Sequence, residues 1–325
     1  MIDIRDIGIG LEYLDAPGQL RQLEERLAHY QAEGFRLVEI DPAPYHLIIY
    51  GELHRPSLAD WSTALRQFGL RYSIHGLLRL NLAYDPRHDL CRQIMRCQIE
   101  ICHTIGASTL VYHSGLQALD QVRYGVRRSL LSEEELAEGA RREVAALREL
   151  APIAADAGVT IGMENGDPHQ WEYDLIARHG LPRSAIAQHH ARLYLAPIVR
   201  QLEAIGHPSI AMTLDLGHLH IAAHGLECDY LAQIDEAAPW VKHLHISDNL
   251  GLLDQGFDAE PDRWAYGEAD IHMPPGWGSV PYCDALDRLP GYRGDAILEI
   301  KAGFLDQAAE GLRAFRELLR RAGMH

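Results

Sequence analysis

The chain has 325 residues, is 47% hydrophobic and carries a formal net charge of −16, from 46 Asp+Glu against 30 Lys+Arg. No apolar run reaches the roughly 18 residues that a membrane-spanning helix needs. The acidic balance argues against a nucleic-acid face, which requires clustered Lys and Arg.

The N-terminal MIDIRDIGIG lacks a basic stretch followed by a long apolar one, so no secretory signal is read there and a cytoplasmic location is expected. The cysteines (Cys91, Cys97, Cys102, Cys228, Cys283) are odd in number and none pairs as CxxC. That spacing supports neither a disulfide framework nor a thiolate zinc site, and buried, reduced thiols are expected.

In chain order, short β-rich runs alternate with amphipathic stretches. Strands are predicted at 2–9, 36–40, 72–75, 109–113, 160–164, 210–215, 241–245 and 296–300, and helices at 19–33, 58–68, 88–105, 133–156, 191–204, 230–237 and 305–322. Over 133–156, Leu136, Ala140, Val144 and Leu147 recur at the three- and four-residue steps of one buried helical face. Such alternation reads as parallel βαβ units closing into a (β/α)8 barrel, one domain over residues 1–325. An open doubly wound sheet would carry a glycine-rich phosphate loop after its first strand, and GIGLEY matches GxGxxG poorly. The length beyond a minimal barrel falls at 114–132, 165–190 and 247–280, after strands four, five and seven. Those loops emerge on the C-terminal face, where barrel enzymes build their sites.

Histidine is abundant, at 19 copies. Strands three to eight end in turn at His75, His113, Glu164, Asp215, His245 and Glu299. Parallel barrel strands bring these ends to one rim, so the side chains converge. A histidine in an apolar strand is, taken alone, ordinary hydrogen-bonded packing. A carboxylate there is harder to dismiss, because burying it unpaired costs several kcal/mol. The chain has two lysines, and no arginine lies in the strands that hold Glu164, Asp215 and Glu299. A shared cation is the simplest partner, and mixed imidazole and carboxylate donors suit Zn, Mn, Co or Mg.

The segments IGMEN, MTLDLGH, HLHISDN and AILEIK together resemble the xylose-isomerase-like barrel superfamily over essentially the whole chain. That superfamily holds sugar isomerases and epimerases, inosose dehydratases and endonuclease-four-type abasic-site nucleases. The resemblance implies that Glu164, Asp215, His245 and Glu299 bind one metal, with Glu164 and Glu299 also acting as an acid–base pair on either side of the substrate. IHGLLRLNLA and VYHSG resemble the nuclease branch and put His75 and His113 at its ligand positions. DLGH adds His218, and DIHMPPGWGSV adds Asp270 and His272. The full set matches the nuclease's three-metal ligands, so one to three divalent ions per chain are implied.

HLHISDN followed by the DxHxPPGxG loop resembles the isomerase/epimerase group, and the nuclease's longer histidine-bearing loop is not evident in SGLQALD after His113. The expectation is therefore a metal-dependent isomerase, epimerase or dehydratase acting on a sugar or polyol carbonyl compound through an enediolate. The alternative is a multinuclear zinc phosphodiesterase of the abasic-site type. A non-catalytic sugar-binding protein with a relic site is disfavoured, because buried acids without a role are costly. The expected partner is a small sugar or polyol rather than nucleic acid or membrane, and homo-oligomerisation is left open.

Lys301, Glu39 and Trp277 are candidate substrate contacts. Trp264, Tyr266 and Trp277 form either an apolar wall or an anchor for their loop. His243, on the same face as His245, is read as packing or as a supporting donor, and His169, His189 and His190 as solvated.

Overall fold

The computed structural model describes residues 2–11, 19–255 and 260–322. Strands β1 (Asp3–Leu11), β2 (Leu37–Ile40), β3 (Arg71–His75), β4 (Thr109–His113), β5 (Thr160–Glu164), β6 (Ile210–Asp215), β7 (Val241–Ile246) and β8 (Arg293–Leu298) close into a parallel barrel, with β1 pairing β8. Because helices cover the outside and side chains fill the inside, central strands are buried on both faces. LVEI of β2 and IAMTLD of β6 are buried throughout, as parallel strands of this kind require. The chain is a single-domain (β/α)8 barrel.

Glycine makes one of these pairings fit. A Cβ at Gly162 of β5 would overlap the hydroxyl of Thr213 on β6. Outside, the helix Glu133–Asp156 is started by a capping box, in which Glu135 N donates to Ser132 Oγ at 3.3 Å and Ser132 N donates to Glu135 Oε2 at 2.8 Å. Its inner face buries Leu147, Leu150 and Ala154 against the barrel, while Leu136 joins Ala83, Tyr84, Ala118 and Leu131 in a small separate cluster.

Several boundaries differ from the sequence reading. β1 runs on to Leu11, and β8 starts at Arg293 rather than 296 because Asp295, polar in sequence, is held by Arg71 at 2.8 Å inside the barrel's lower end. Glu299 thus lies one residue past β8, although its N–H still bonds Ile246 O at 3.0 Å. The second predicted helix begins at Arg55 with Pro56 in its first turn, where a missing N–H is harmless. Residues 191–193 form a 3-10 turn ahead of the helix Leu195–Ile205, and Ala302–Gln307 forms another ahead of Ala308–Arg321.

The long loops fold on themselves. The β5 insertion contributes the helix Gln170–Arg178, whose Tyr173, Leu175 and Ile176 join Leu119, Ile186, Leu193 and Ala222 in a second small core above the barrel. Cys91, Cys97 and Cys102 are buried as expected, while Cys228 and Cys283 are only partly so, and all are free thiols. Among the described residues no helix is long and apolar enough to cross a membrane.

Candidate metal centre

Glu164 ends β5, Asp215 ends β6, His245 lies on β7 and Glu299 follows β8, and one donor atom from each lies within 4.8 Å of the other three. His245 Nδ1 is 2.8 Å from Glu164 Oε1, 3.2 Å from Glu299 Oε1 and 3.9 Å from Asp215 Oδ2. The backbone of Asp215 is clamped by Asn165, whose Oδ1 accepts from Asp215 N at 2.9 Å and whose Nδ2 donates to Asp215 O at 3.0 Å. Asp215 Oδ1 accepts from His218 N at 2.6 Å and so caps the helix Leu216–Leu226. Its Oδ2 is wholly buried and accepts no hydrogen bond.

An orphaned carboxylate oxygen is costly to bury. Here it sits with two further carboxylates and one imidazole, a donor set that fits a divalent cation bound at about 2.0–2.2 Å. The electrostatics agree. Burial drives the Asp215 carboxyl up to about 7, with Glu299 and Glu164 adding to the rise against the pull of His218. Burial alone would lower His245, but the Glu299, Glu164 and Glu39 carboxylates outweigh it and hold the imidazolium well above its ordinary range. Glu299 is lowered to about 2, because His245 more than offsets its desolvation.

Two more donor groups adjoin this one. His113 Nε2 lies 2.9 Å from Glu164 Oε2, and the His75 and His113 ring centroids are 4.9 Å apart, so His75, His113 and Glu164 form the first. His218 Nε2 approaches Asp270 Oδ2 at 3.4 Å, and His272 pairs with the same oxygen, forming the second. Ala269 (φ 65) and His272 (φ 47) take left-handed backbone conformations on either side of Asp270. Each such non-glycine residue costs about 1–3 kcal/mol, held here by the surrounding loop contacts. The structure therefore gathers every histidine and acid of the predicted ligand set at one rim.

Above the cluster opens a cavity of about 360 Å³, faced by Glu164, Glu299, Asp270, Arg192 and Lys301 among others. Glu39 also borders the cavity. Its carboxylate is buried, with Oε2 accepting from Ser73 Oγ at 2.8 Å and lying 2.9 Å from His243 Nε2. Its Oε1 is 2.9 Å from His245 Nε2. His243 is thus a buried partner of Glu39 inside the barrel. Lys301 borders the cavity while donating from Nζ to Asp270 O.

Trp277 is 45% exposed and is not among the cavity residues. Its indole donates to Glu310 Oε1 at 3.0 Å and meets Phe304 edge-on, which anchors the loop. Trp264 packs on the same Phe304 and Tyr266 is exposed, so no aromatic wall forms.

His189 and His190 are buried rather than solvated, because the β5 insertion packs a core of its own. The sequence reading missed Asn165, although it stands beside Glu164 in IGMEN, and Arg192, which no motif marks.

Fold and donor cluster together define a (β/α)8 barrel with a candidate divalent-metal centre at its C-terminal rim. The family model described as xylose isomerase-like TIM barrel matches residues 27–318, and the chain belongs to that family. No curated protein matches the sequence. Among solved structures, a D-tagatose 3-epimerase-like protein is 17% identical, with 98% of each chain covered and a TM-score of 0.67. The 3-keto-D-glucoside 4-epimerase from E. coli is 16% identical over 96% of this chain and 99% of that one, with a TM-score of 0.64. The IolI protein with a bound zinc atom is 14% identical over 98% of this chain and 97% of that one, with a TM-score of 0.63. At these identities the likeness is one of fold.

Proposed function

We propose that the protein is a divalent-metal-dependent isomerase, epimerase or dehydratase acting on a sugar or polyol-derived carbonyl compound. The observation that carries this reading is the buried Asp215 Oδ2, which has no hydrogen-bond donor, within a four-donor cluster whose two glutamates both border the cavity. Two fold neighbours, one a sugar epimerase and one epimerase-like, support it, as does the zinc in a third.

Glu164, Asp215, His245 and Glu299 would hold the ion. A divalent cation bound there supplies polarisation of a carbonyl and its neighbouring hydroxyl, which lowers the pKa of the adjacent C–H. One of Glu164 and Glu299 takes that proton, the C–H electrons move to the carbonyl oxygen, and an enediolate results. The other glutamate, which enters the step protonated, delivers that proton to the opposite face, or to a departing hydroxyl in a dehydration. Acid–base catalysis of this kind contributes about 10²–10⁴-fold. His113 Nε2 stands 2.9 Å from Glu164 Oε2, beside the carboxylate that would carry the proton.

The His75–His113–Glu164 and His218–Asp270–His272 groups favour a second reading, a multinuclear zinc phosphodiesterase. Elemental analysis of protein purified without chelator or histidine tag separates the two. About one ion per chain supports the four-donor isomerase site, and about three support the hydrolase, for which abasic-duplex nicking is the next assay. For the isomerase reading, turnover of a ketose in D2O must place deuterium on the reacting carbon. Turnover without exchange rules out the enediolate.

A further inference from the structure

A second cavity of about 140 Å³ opens beside the first, toward the loop after β4. Arg192 and His113 border both spaces, so the two adjoin at the metal-side rim. The charged residues around the smaller cavity are Arg79, Arg87, Arg192, Asp85 and Asp120, a net positive lining in a chain of net charge −16. Arg87 is already neutralised by a bidentate pairing to Asp85, with contacts of 2.9 and 2.6 Å. Arg79 lies 3.9 Å over the Tyr124 ring, a contact that leaves its charge uncompensated. Ser114 Oγ and Gln121 Oε1 are buried on the same walls and make no hydrogen bond. Unpaired polar atoms around a positively lined space are what a polar, anionic ligand would satisfy.

Arg192 is set in place by a buried relay. Its Nε donates to His190 Nε2 at 3.1 Å, which puts the ring proton on Nδ1, 2.8 Å from Glu172 Oε1. His190 and Glu172 are 1% and 0% exposed at their side chains. Gln117 Nε2 also donates to Glu172, and His169 N donates to it at 2.9 Å. Gly166 completes the seat, since a Cβ there would come within 2.7 Å of Arg192 Nε. Only Nε is used in holding the side chain, so the terminal amino groups of the guanidinium are left to the cavities. A planar fork presented this way matches a carboxylate or phosphate.

We propose that Arg192 is a specificity residue and that the smaller cavity takes the terminal oxyanion of an acidic sugar whose carbonyl end lies over the metal centre. This rests on the sugar reading above. Arg79 would supply a second cation, and Ser114 and Gln121 would bond the adjoining hydroxyls. The oxyanion is a carboxylate or a phosphate ester, two sources of one chemistry.

The test is calorimetric binding to metal-loaded, full-length protein of two matched pairs, glucuronate against glucose and fructose 6-phosphate against fructose. The acidic member of at least one pair should bind about tenfold or more tighter than its neutral partner, as expected of charge-assisted bonds. Whichever pair shows the larger ratio identifies carboxylate or phosphate. Arg192→Ala should bring the ratio to about one, and Arg192→Lys should keep part of it, since a point charge replaces the fork. Equal binding of acid and neutral partner by the wild type, or an unchanged ratio in Arg192→Ala, overturns the subsite and leaves the sugar reading intact. Binding of none of the four compounds by correctly metallated protein overturns both.

Discussion

Glu39 Oε1 lies 2.9 Å from Nε2 of His245, on the opposite edge of the ring from Nδ1, which faces Glu164 at 2.8 Å. The imidazole is therefore held between a carboxylate of the candidate metal cluster and one behind it. A ligating histidine oriented by a carboxylate on its other nitrogen is more basic and pointed in one direction, and loss of the carboxylate costs about 10–100-fold in metal affinity. Glu39→Gln is expected to weaken metal binding by about that factor. Competition with a chromogenic chelator measures it, and an affinity within about twofold of wild type would show that Glu39 only packs.

The same geometry sets a pH dependence. With carboxylates at both nitrogens, His245 in the metal-free protein carries two N–H groups, and its pKa is held above the ordinary value. An ion at Nδ1 displaces one of those protons, so affinity rises as pH rises and each ion releases about one proton. Asp215, at about 7, adds a second proton to be displaced below neutrality. The slope of log affinity against pH should therefore steepen toward about two on the acid side of pH 7. Calorimetry in buffers of different ionisation enthalpy counts the protons, and a pH-independent dissociation constant contradicts the assignment of His245 as a ligand.

The barrel and its rim were legible because both rest on local pattern. A parallel strand buried on two faces is a short apolar run, and a polar residue at its end, such as His113 or Glu164, stands out against it. Glu39 was visible as an acid in β2, but its role depends on His245, which is distant in sequence and adjacent only after closure. Arg192 carried no signal, since its position is set by His190, Glu172 and the gap at Gly166 in an insertion whose packing no periodicity foretells. Trp277 stood open between wall and anchor for a related reason. An aromatic in an active-face loop suggests a wall, whereas its indole is turned aside by Glu310 and Phe304.

Gly162 offers a test of the barrel interior. Its missing side chain admits the Thr213 hydroxyl, with Thr213 Cβ also 3.3 Å from where a Cβ would stand. Backbone on both sides is fixed by the β5–β6 ladder, where Gly162 pairs with Ala211, so the clash cannot be relieved by sliding. Gly162→Ala should destabilise by about 1–3 kcal/mol. Thr213→Ala in the same chain should recover most of that loss, because it removes the overlapping hydroxyl. Chemical denaturation of the single and double variants gives the comparison, and additive losses would mean that the two positions do not collide.

Glu172 ties the β5 insertion to the loop after β4 through Gln117 and should give it an acid-sensitive anchor. Burial would raise this carboxyl, but His190 outweighs that, with His169 assisting, and the folded pKa lies below the ordinary value. A carboxylate lowered on folding contributes stability that is fully present above its unfolded pKa of about 4.3 and is lost as pH falls through the folded value. The loss therefore belongs to the region below about pH 4, whereas the metal ligands respond nearer neutrality. Glu172→Gln replaces a charged acceptor facing His190 Nδ1 and Gln117 Nε2 by a neutral one and should lower stability at pH 7 by about 1–2 kcal/mol. On acidification the wild type loses this contribution and the variant has none to lose, so their melting temperatures should converge. Hydrogen exchange places the effect, with the amides of Gln170–Arg178 losing protection in the variant ahead of those in β5. A constant gap between the two proteins from pH 7 to pH 3 would mean that Glu172 acts through shape alone.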